Sequence, residues 1–277
     1  MNESFILSEF DRLVSSGTFQ FLLTSALANK PTIPLNPPAA NKIDGRDQKR
    51  EGSDISTQGL EIGEISTSHF LVANKFCWAR PHLMVVTSDG YRRQYEGLDL
   101  HDIKSVWFLL STLDTDYVAF YNCGQDGGCS RLHKHVQLIP TPPKLFASFL
   151  DSKDSQPPRV PFECFYRRLN PHDPTPERWL EIYNHLLEQS TNKGRGLSEN
   201  FGKAPPDAAC PHNFILTKRW MVVFPRQRAA INKEAGVNAI GMLGHIVVAT
   251  QNEIDDWIRL GPTNALRELG VAKQEAL

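Results

Sequence analysis

The sequence has no surplus charge of either sign, no long apolar run, no cysteine pairing pattern and no glycine-rich dinucleotide fingerprint. Its 30 Lys+Arg against 31 Asp+Glu leave a formal net charge of −1, so no overall field marks a nucleic-acid or membrane partner. Anion recognition would have to come from local placement of lysines and backbone N–H groups. No stretch approaches the ~18 consecutive apolar residues that a spanning helix needs. The five cysteines (Cys77, Cys123, Cys129, Cys164, Cys210) are odd in number, scattered and without a C-x-x-C pair. That usage suits a reduced chain of the cytosol, with the nucleus also open, rather than a disulfide framework. The start, MNESFILSEFDRLVSSG, is acidic and lacks a basic stretch followed by an apolar run, so a secretory signal is not expected. No G-x-G-x-x-G follows a strand, and GQDGGCS opens a strand rather than a helix, which disfavours Rossmann and P-loop folds.

What is present is a chain of 277 residues, long enough for a sizeable core. Helical spacing is expected at Phe5, Ile6, Phe10, Leu13 and Val14, and a strand in TFQFLLTSAL. From Lys30 to about Thr67, prolines, glycines and mixed charges replace any periodicity, which predicts a long, partly disordered surface loop. Strands are expected at Phe70–Asn74 and Leu83–Thr87, then an amphipathic helix opened by Asp99 and Asp102. DYVAFYNCG and HKHVQLIP read as two strands around a tight loop. A helix in PPKLFASFLDS precedes a Pro/Ser-rich connection, and PTPERWLEIYNHLLEQST is a second clear helix. HNFILTKRWMVVFPR reads as a hairpin, NAIGMLGHIVVAT as either a strand or a packed helix, and NEIDDWIRLG starts a last helix. Strands joined by short turns with helices laid between them predict an α+β fold around an antiparallel sheet, in one domain over 1–277 with a flexible loop at about 31–67.

The segment GGCSRLHKHVQLIP carries the chemistry. Side chains alternate along a strand, so His133, His135 and Gln137 share one face while Lys134, Val136 and Leu138 take the other. Three polar groups in a row are costly to bury without partners. The preceding glycines permit a backbone nest for an anion, and Ser130 adds a hydroxyl donor. A neutral imidazole facing such a loop can attack phosphorus, with a neighbouring carbonyl or histidine fixing its tautomer. An H-x-H pair in a strand is nevertheless more often structural. A metal site, with Cys123, Cys129 and Cys-Pro-His at 210–212 as further ligand types, is less favoured, because glutamine is a poor third ligand.

HKHVQ matches the H-x-H-x-Q signature, and four further blocks occur in order: FLLTSALANKP, HFLVANKFCWARPHLMVVT, HNFILTKRWMVVFPR and VNAIGMLGHIVV. Together they resemble the transferase branch of the histidine-triad superfamily, in which glutamine replaces the third histidine. Within it they resemble the fungal diadenosine tetraphosphate phosphorylases, also called ATP adenylyltransferases. The resemblance covers most of the chain outside 31–67 and implies a histidine-triad-like antiparallel sheet with flanking helices. It also implies a reversible reaction in which diadenosine tetraphosphate and phosphate give ATP and ADP through an AMP-histidine intermediate.

Carried over by position, His135 would be the nucleophile, His133 its support, and Gln137 a contact to the phosphate that becomes AMP. Asn122 and the Gly128, Cys129, Ser130 loop would cradle the polyphosphate, with Arg131 strengthening or redirecting that grip. Lys30, Asn74, Lys75, Asn213, Thr217 and Lys218 would supply further contacts from separate segments, as a substrate of about four negative charges requires. His82 and His212 are expected to be structural. Magnesium would accompany the polyphosphate, with no protein-held metal. The implied partners are small-molecule nucleotides, with no nucleic acid or membrane, and a monomer is favoured. Two departures stand out. Ser130-Arg131 replaces the usual Ser-Gln, and the segment following Lys30-Pro31 is barely recognisable. They motivate a second reading, a nucleotide-binding member without activity, and a dinucleoside polyphosphate hydrolase with water as acceptor is a third.

Overall fold

The computed structural model describes residues 19–27, 50–170, 175–198 and 204–273. The expected N-terminal helix and Lys30 lie outside the described residues. The chain builds strands β1 (Gln20–Leu23), β2 (Glu61–Ser66), β3 (His69–Ala73), β4 (Leu83–Thr87), β5 (Tyr117–Cys123) and β6 (His135–Pro140). These are followed by β7 (Phe165–Arg168), β8 (His212–Leu216), β9 (Trp220–Pro225) and β10 (His245–Val248). The helices are α1 (Leu100–Thr112), α2 (Pro176–Gly194), α3 (Ala239–Met242), α4 (Gln251–Leu260) and α5 (Pro262–Leu269).

Eight strands form one sheet in the order β2-β3-β4-β6-β5-β8-β9-β7, every neighbouring pair antiparallel. β1 and β10 form a separate parallel pair. β5, β8 and β9 are buried along their whole length, as strands covered on both faces must be. One face meets α1 and α2: Leu83, Val85, Ala119, Tyr121, Val136 and Leu138 pack there with Val106, Leu110, Trp179 and Tyr183. On the other face Phe120, Ile139, Ile215 and Phe224 pack against β1, β10 and the C-terminal helices. Phe70, Val72, Met84 and Val86 make a smaller cluster on β3 and β4. β6 sits between β4 and β5, so its register decides which side chains face which layer.

Local chemistry sets the helix ends. Asp99 caps α1 by accepting from His101 N and Asp102 N, while Asp102 reaches back to Asp99 N at 2.7 Å, a reciprocal capping box. Thr175 caps α2, and Pro176 occupies the first turn, where its missing N–H costs nothing.

Four expectations are corrected. Glu61–Ser66 is an edge strand rather than loop, its register broken twice against β3. PPKLFASFLDS forms only a short 3-10 turn, Phe146–Asp151. Phe165–Arg168 is an unexpected strand; it is short and largely exposed, so it carries little periodicity. NAIGMLGHIVVAT is both helix and strand, divided at Gly244, where φ is +92° and an added Cβ would sit 2.7 Å from the Phe146 ring. Only glycine fits that corner.

Candidate active site

β6 carries His135 and Gln137 on the face opposite α1 and α2: Gln137 lies across from Phe120 and Met84, and His135 across from Val86. The expected alternation therefore holds for this pair. Gln94, buried, clamps the start of the strand. Its Oε1 accepts from His135 N at 2.8 Å, and its Nε2 donates to His135 O at 3.0 Å and Asn122 O at 3.2 Å. With the backbone held at both polar groups, the His135 ring has a fixed origin.

The ring itself is oriented by its neighbour's backbone. His135 Nδ1 lies 2.8 Å from His133 O. A carbonyl can only accept, so Nδ1 carries the proton and the ring lone pair is on Nε2. The two histidines are thus coupled through a peptide carbonyl rather than ring to ring.

The His133 ring turns aside from the strand face. Its Nε2 meets Asp89 O at 3.1 Å and Thr87 Oγ1 at 2.9 Å, and its Nδ1 meets Ser53 Oγ at 2.8 Å. The Asp89 carbonyl places the proton on Nε2, so Nδ1 accepts from the Ser53 hydroxyl. Burial lowers the His133 pKa and outweighs the hydrogen bond to Asp89 that raises it, so the ring is neutral near pH 7. The Asp54 carboxylate brackets the same spot, accepting from Leu132 N and His133 N, both at 2.8 Å.

Next to Gln137 lies a cavity of about 260 Å³. Asn74, Trp78 and His82 form one wall, Gly128 and Cys129 a second, and Val237, Asn238 and Gly241 a third. His82 Nε2 is 2.9 Å from Gln137 Oε1 and 3.1 Å from Asn74 Nδ2, while Asn74 Oδ1 accepts from Phe76 N. His82 is therefore part of the site rather than a structural residue set apart from it. His135 is not itself in the cavity wall. It stands two residues from Gln137, about 7 Å along the strand on the same face.

The loop between β5 and β6 is less of a nest than its glycines suggest. Gly128 N donates to Gln125 O at 2.9 Å and Cys129 N to Gly124 O at 3.3 Å. Those two amides close the loop on itself, with Gly128 at φ +84°, and the amides of Leu132 and His133 are taken by Asp54. Ser130 and Arg131 are half-buried, and Arg131 Nη1 donates to Ser130 O at 2.9 Å.

Behind the strand, on the α1 face, Lys134 is fully buried, its Nζ 2.7 Å from Asp102 Oδ2 and donating to Gly97 O at 2.7 Å. Asp102 Oδ1 lies 2.9 Å from His69 Nε2. Burial works against ionised Asp102, but the His69 hydrogen bond and the Lys134 charge outweigh it and hold the carboxyl at about 2. Among the described residues no group of three or more His, Cys, Asp or Glu could hold a metal ion.

An Ap4A phosphorylase N-terminal domain model matches residues 55–149 and an ATP adenylyltransferase C-terminal domain model residues 158–272. The chain belongs to the Ap4A phosphorylase family. Diadenosine 5',5'''-P1,P4-tetraphosphate phosphorylase 2 of Saccharomyces cerevisiae is 26% identical over 212 residues, covering 67% of this chain and 64% of its own length. Protein APA1 of the same yeast is 25% identical over 287 residues, covering 90% and 87%. Crystal structures of yeast Ap4A phosphorylase Apa2, with AMP and with Ap4A, each superpose with a TM-score of 0.73 at 21% identity. They cover 100% and 99% of this chain and 90% and 91% of theirs, and establish a shared fold.

Against this phosphorylase fold, the sequence-predicted residues separate into three groups. Gln137, Asn74, Gly128 and Cys129 line one cavity, with His135 two residues along β6 on the same face, the His133 ring turned aside, Ser130 and Arg131 following Cys129, and Lys75 exposed next to Asn74. Asn122 and Asn213 meet one layer deeper. Asn213 is wholly buried and spends both ends of its amide on Asn122, Gly127 and Arg226, so it is corrected from a substrate contact to a support. Thr217 and Lys218 do not join the site. They form the turn beyond Leu216, which pairs with Ala119 at the other end of β5 from Asn122, and Lys218 Nζ donates to Leu113 O at 3.0 Å. Sequence reasoning missed Ser53, Asp54 and Gln94, which lie in segments without periodicity, and Thr87, at the end of the expected strand β4, and set His82 aside despite its place in a matched block.

Proposed function

We propose that this chain cleaves diadenosine tetraphosphate with phosphate to give ATP and ADP, reversibly, through an AMP-histidine intermediate on His135. The observation that carries this is the His135 Nδ1 contact to His133 O, which puts the lone pair on Nε2. It is supported by the family and by the names of the yeast relatives, two of which are called Ap4A or diadenosine tetraphosphate phosphorylases and one of which was crystallised with Ap4A and AMP.

In the first step His135 Nε2 attacks the phosphorus next to one adenosine. The N–P bond forms, the bridging P–O bond breaks, and ATP leaves with that bonding pair. In the second step a phosphate oxygen attacks the same phosphorus, the N–P bond breaks, and ADP leaves. The proton stays on Nδ1, donated in a hydrogen bond to the His133 carbonyl, which stabilises the positive charge that builds on the ring in each transition state. Gln137, steadied by His82, contacts the phosphoryl oxygens without serving as an acid. Magnesium bound to the polyphosphate would neutralise part of its charge, with no protein ligand needed.

Isotope placement tests the acceptor. With labelled inorganic phosphate, the label appears in ADP and not in ATP during initial turnover. ADP free of label would remove phosphorolysis and leave hydrolysis by water.

A further inference from the structure

Arg226 is a wholly buried cation with no carboxylate in ion-pair range among the described residues. Its donors go to neutral oxygens instead: Nε to Leu269 O at 3.0 Å, Nη2 to Arg228 O at 2.8 Å and Val237 O at 3.1 Å, and Nη1 to Asn213 Oδ1 at 2.6 Å. Burial pulls its pKa down to about 9, against the supporting charge of Asp126. Burying a guanidinium without an ion-pair partner is costly in general, so one that has only the Asp126 charge to offset it calls for a reason.

The hydrogen-bond polarity supplies one. A guanidinium only donates, so Asn213 must turn its carbonyl to Arg226 and its amide the other way. That amide donates to Asn122 Oδ1 at 3.0 Å and Gly127 O at 2.7 Å. Asn122 Oδ1 also accepts from Ala239 N at 2.8 Å, so the Asn122 NH2 is directed away from both. Among the described residues, nothing accepts from it. The relay ends in a donor pair, and its branches fix two walls of the cavity: Gly127 precedes Gly128, and Val237 and Ala239 flank Asn238.

We propose that Arg226 is a positioning residue for anion binding: directly at Val237 O, and through Asn213 at Gly127 O, it fixes two walls of the cavity, and its charge, which no ion pair among the described residues neutralises, favours an anion there. The inference rests on the function proposed above only in identifying that anion as a polyphosphate.

The test is calorimetric binding of inorganic tripolyphosphate to the full chain, with thermal melts as a control for folding. Asn213→Asp keeps the acceptor for Arg226 but removes the donors and neutralises the cation. Arg226→Lys keeps the charge but loses the fork. Binding is expected to weaken about tenfold or more in Asn213→Asp and less in Arg226→Lys. With Ap4A as substrate, KM is expected to rise further than kcat falls, whereas mere loss of folded protein lowers apparent kcat and leaves KM alone. Wild-type affinity in either variant that melts cooperatively, or no tripolyphosphate binding by the wild type, would overturn the proposal. Wild type that binds tripolyphosphate but does not turn over Ap4A would contradict the proposed reaction and leave this inference standing.

Discussion

At the scale of single residues, the site is a set of proton positions. His135 is given its tautomer by a peptide carbonyl, His133 by Asp89 O, and neither needs a carboxylate in contact with its ring. Gln137 depends on His82, which packs edge-on to Trp78 at 5.6 Å between ring centroids. His82→Phe retains that aromatic packing and removes only the polar contact. Steady-state kinetics are expected to show kcat/KM down about tenfold, the value of one lost orienting hydrogen bond, with the melting temperature nearly unchanged. Unaltered kcat/KM would return His82 to a packing role. The sequence showed the pair His135 and Gln137 plainly, since strand alternation alone puts them on one face. It could not show His82, because nothing in a single strand reveals which ring lies across the cavity from it.

At the scale of elements, the segment 50–55 acts as a strap over the entry to β6. Asp54 holds two consecutive amides and Ser53 holds the His133 ring. Asp54→Asn keeps one acceptor for two donors. It is expected to cost about 1–2 kcal/mol in denaturant unfolding and to lower turnover more than surface substitutions at exposed Glu51 do. Equal stability in urea would mean the strap is not held by this carboxylate. Low periodicity was the reason this stretch read as loop. The same composition that hides a strand also suits a strap, whose function comes from hydrogen bonds to distant amides rather than from an apolar face. α1 and α2 were legible because caps and buried stripes are local. The short edge strands were not: β2 is largely exposed and its register against β3 is broken twice, and the partner of β7, β9, lies far along the chain.

At the scale of the whole molecule, one sheet runs through both matched family regions. β2 to β6 come from the first and β7 to β9 from the second, joined where β5 pairs with β8. The cavity takes walls from both, so site and fold are inseparable. Neutral histidines, His212 buried and His245 half-buried, make this assembly sensitive to acid. Burial brings His212 and His245 down to about 4. The unfolded chain binds protons at histidine near 6.5, and the folded chain does not. The stability these residues contribute is therefore complete above about pH 6.5 and is lost progressively as pH falls toward 4. For fully buried His212 the loss reaches about 3 kcal/mol at the lower end. Melting temperature is expected to decline steadily from pH 7 to pH 4. A flat profile over that range would show that these rings are protonated in the folded state.

The proposed reaction requires one atom, His135 Nε2, to become bonded to phosphorus. Mass spectrometry of the protein mixed with diadenosine tetraphosphate and magnesium, without phosphate, reads that bond directly. The expected result is an acid-labile AMP adduct on the peptide containing His135, discharged as ADP when phosphate is added. An adduct on another residue, or turnover that proceeds with no adduct at all, would contradict it.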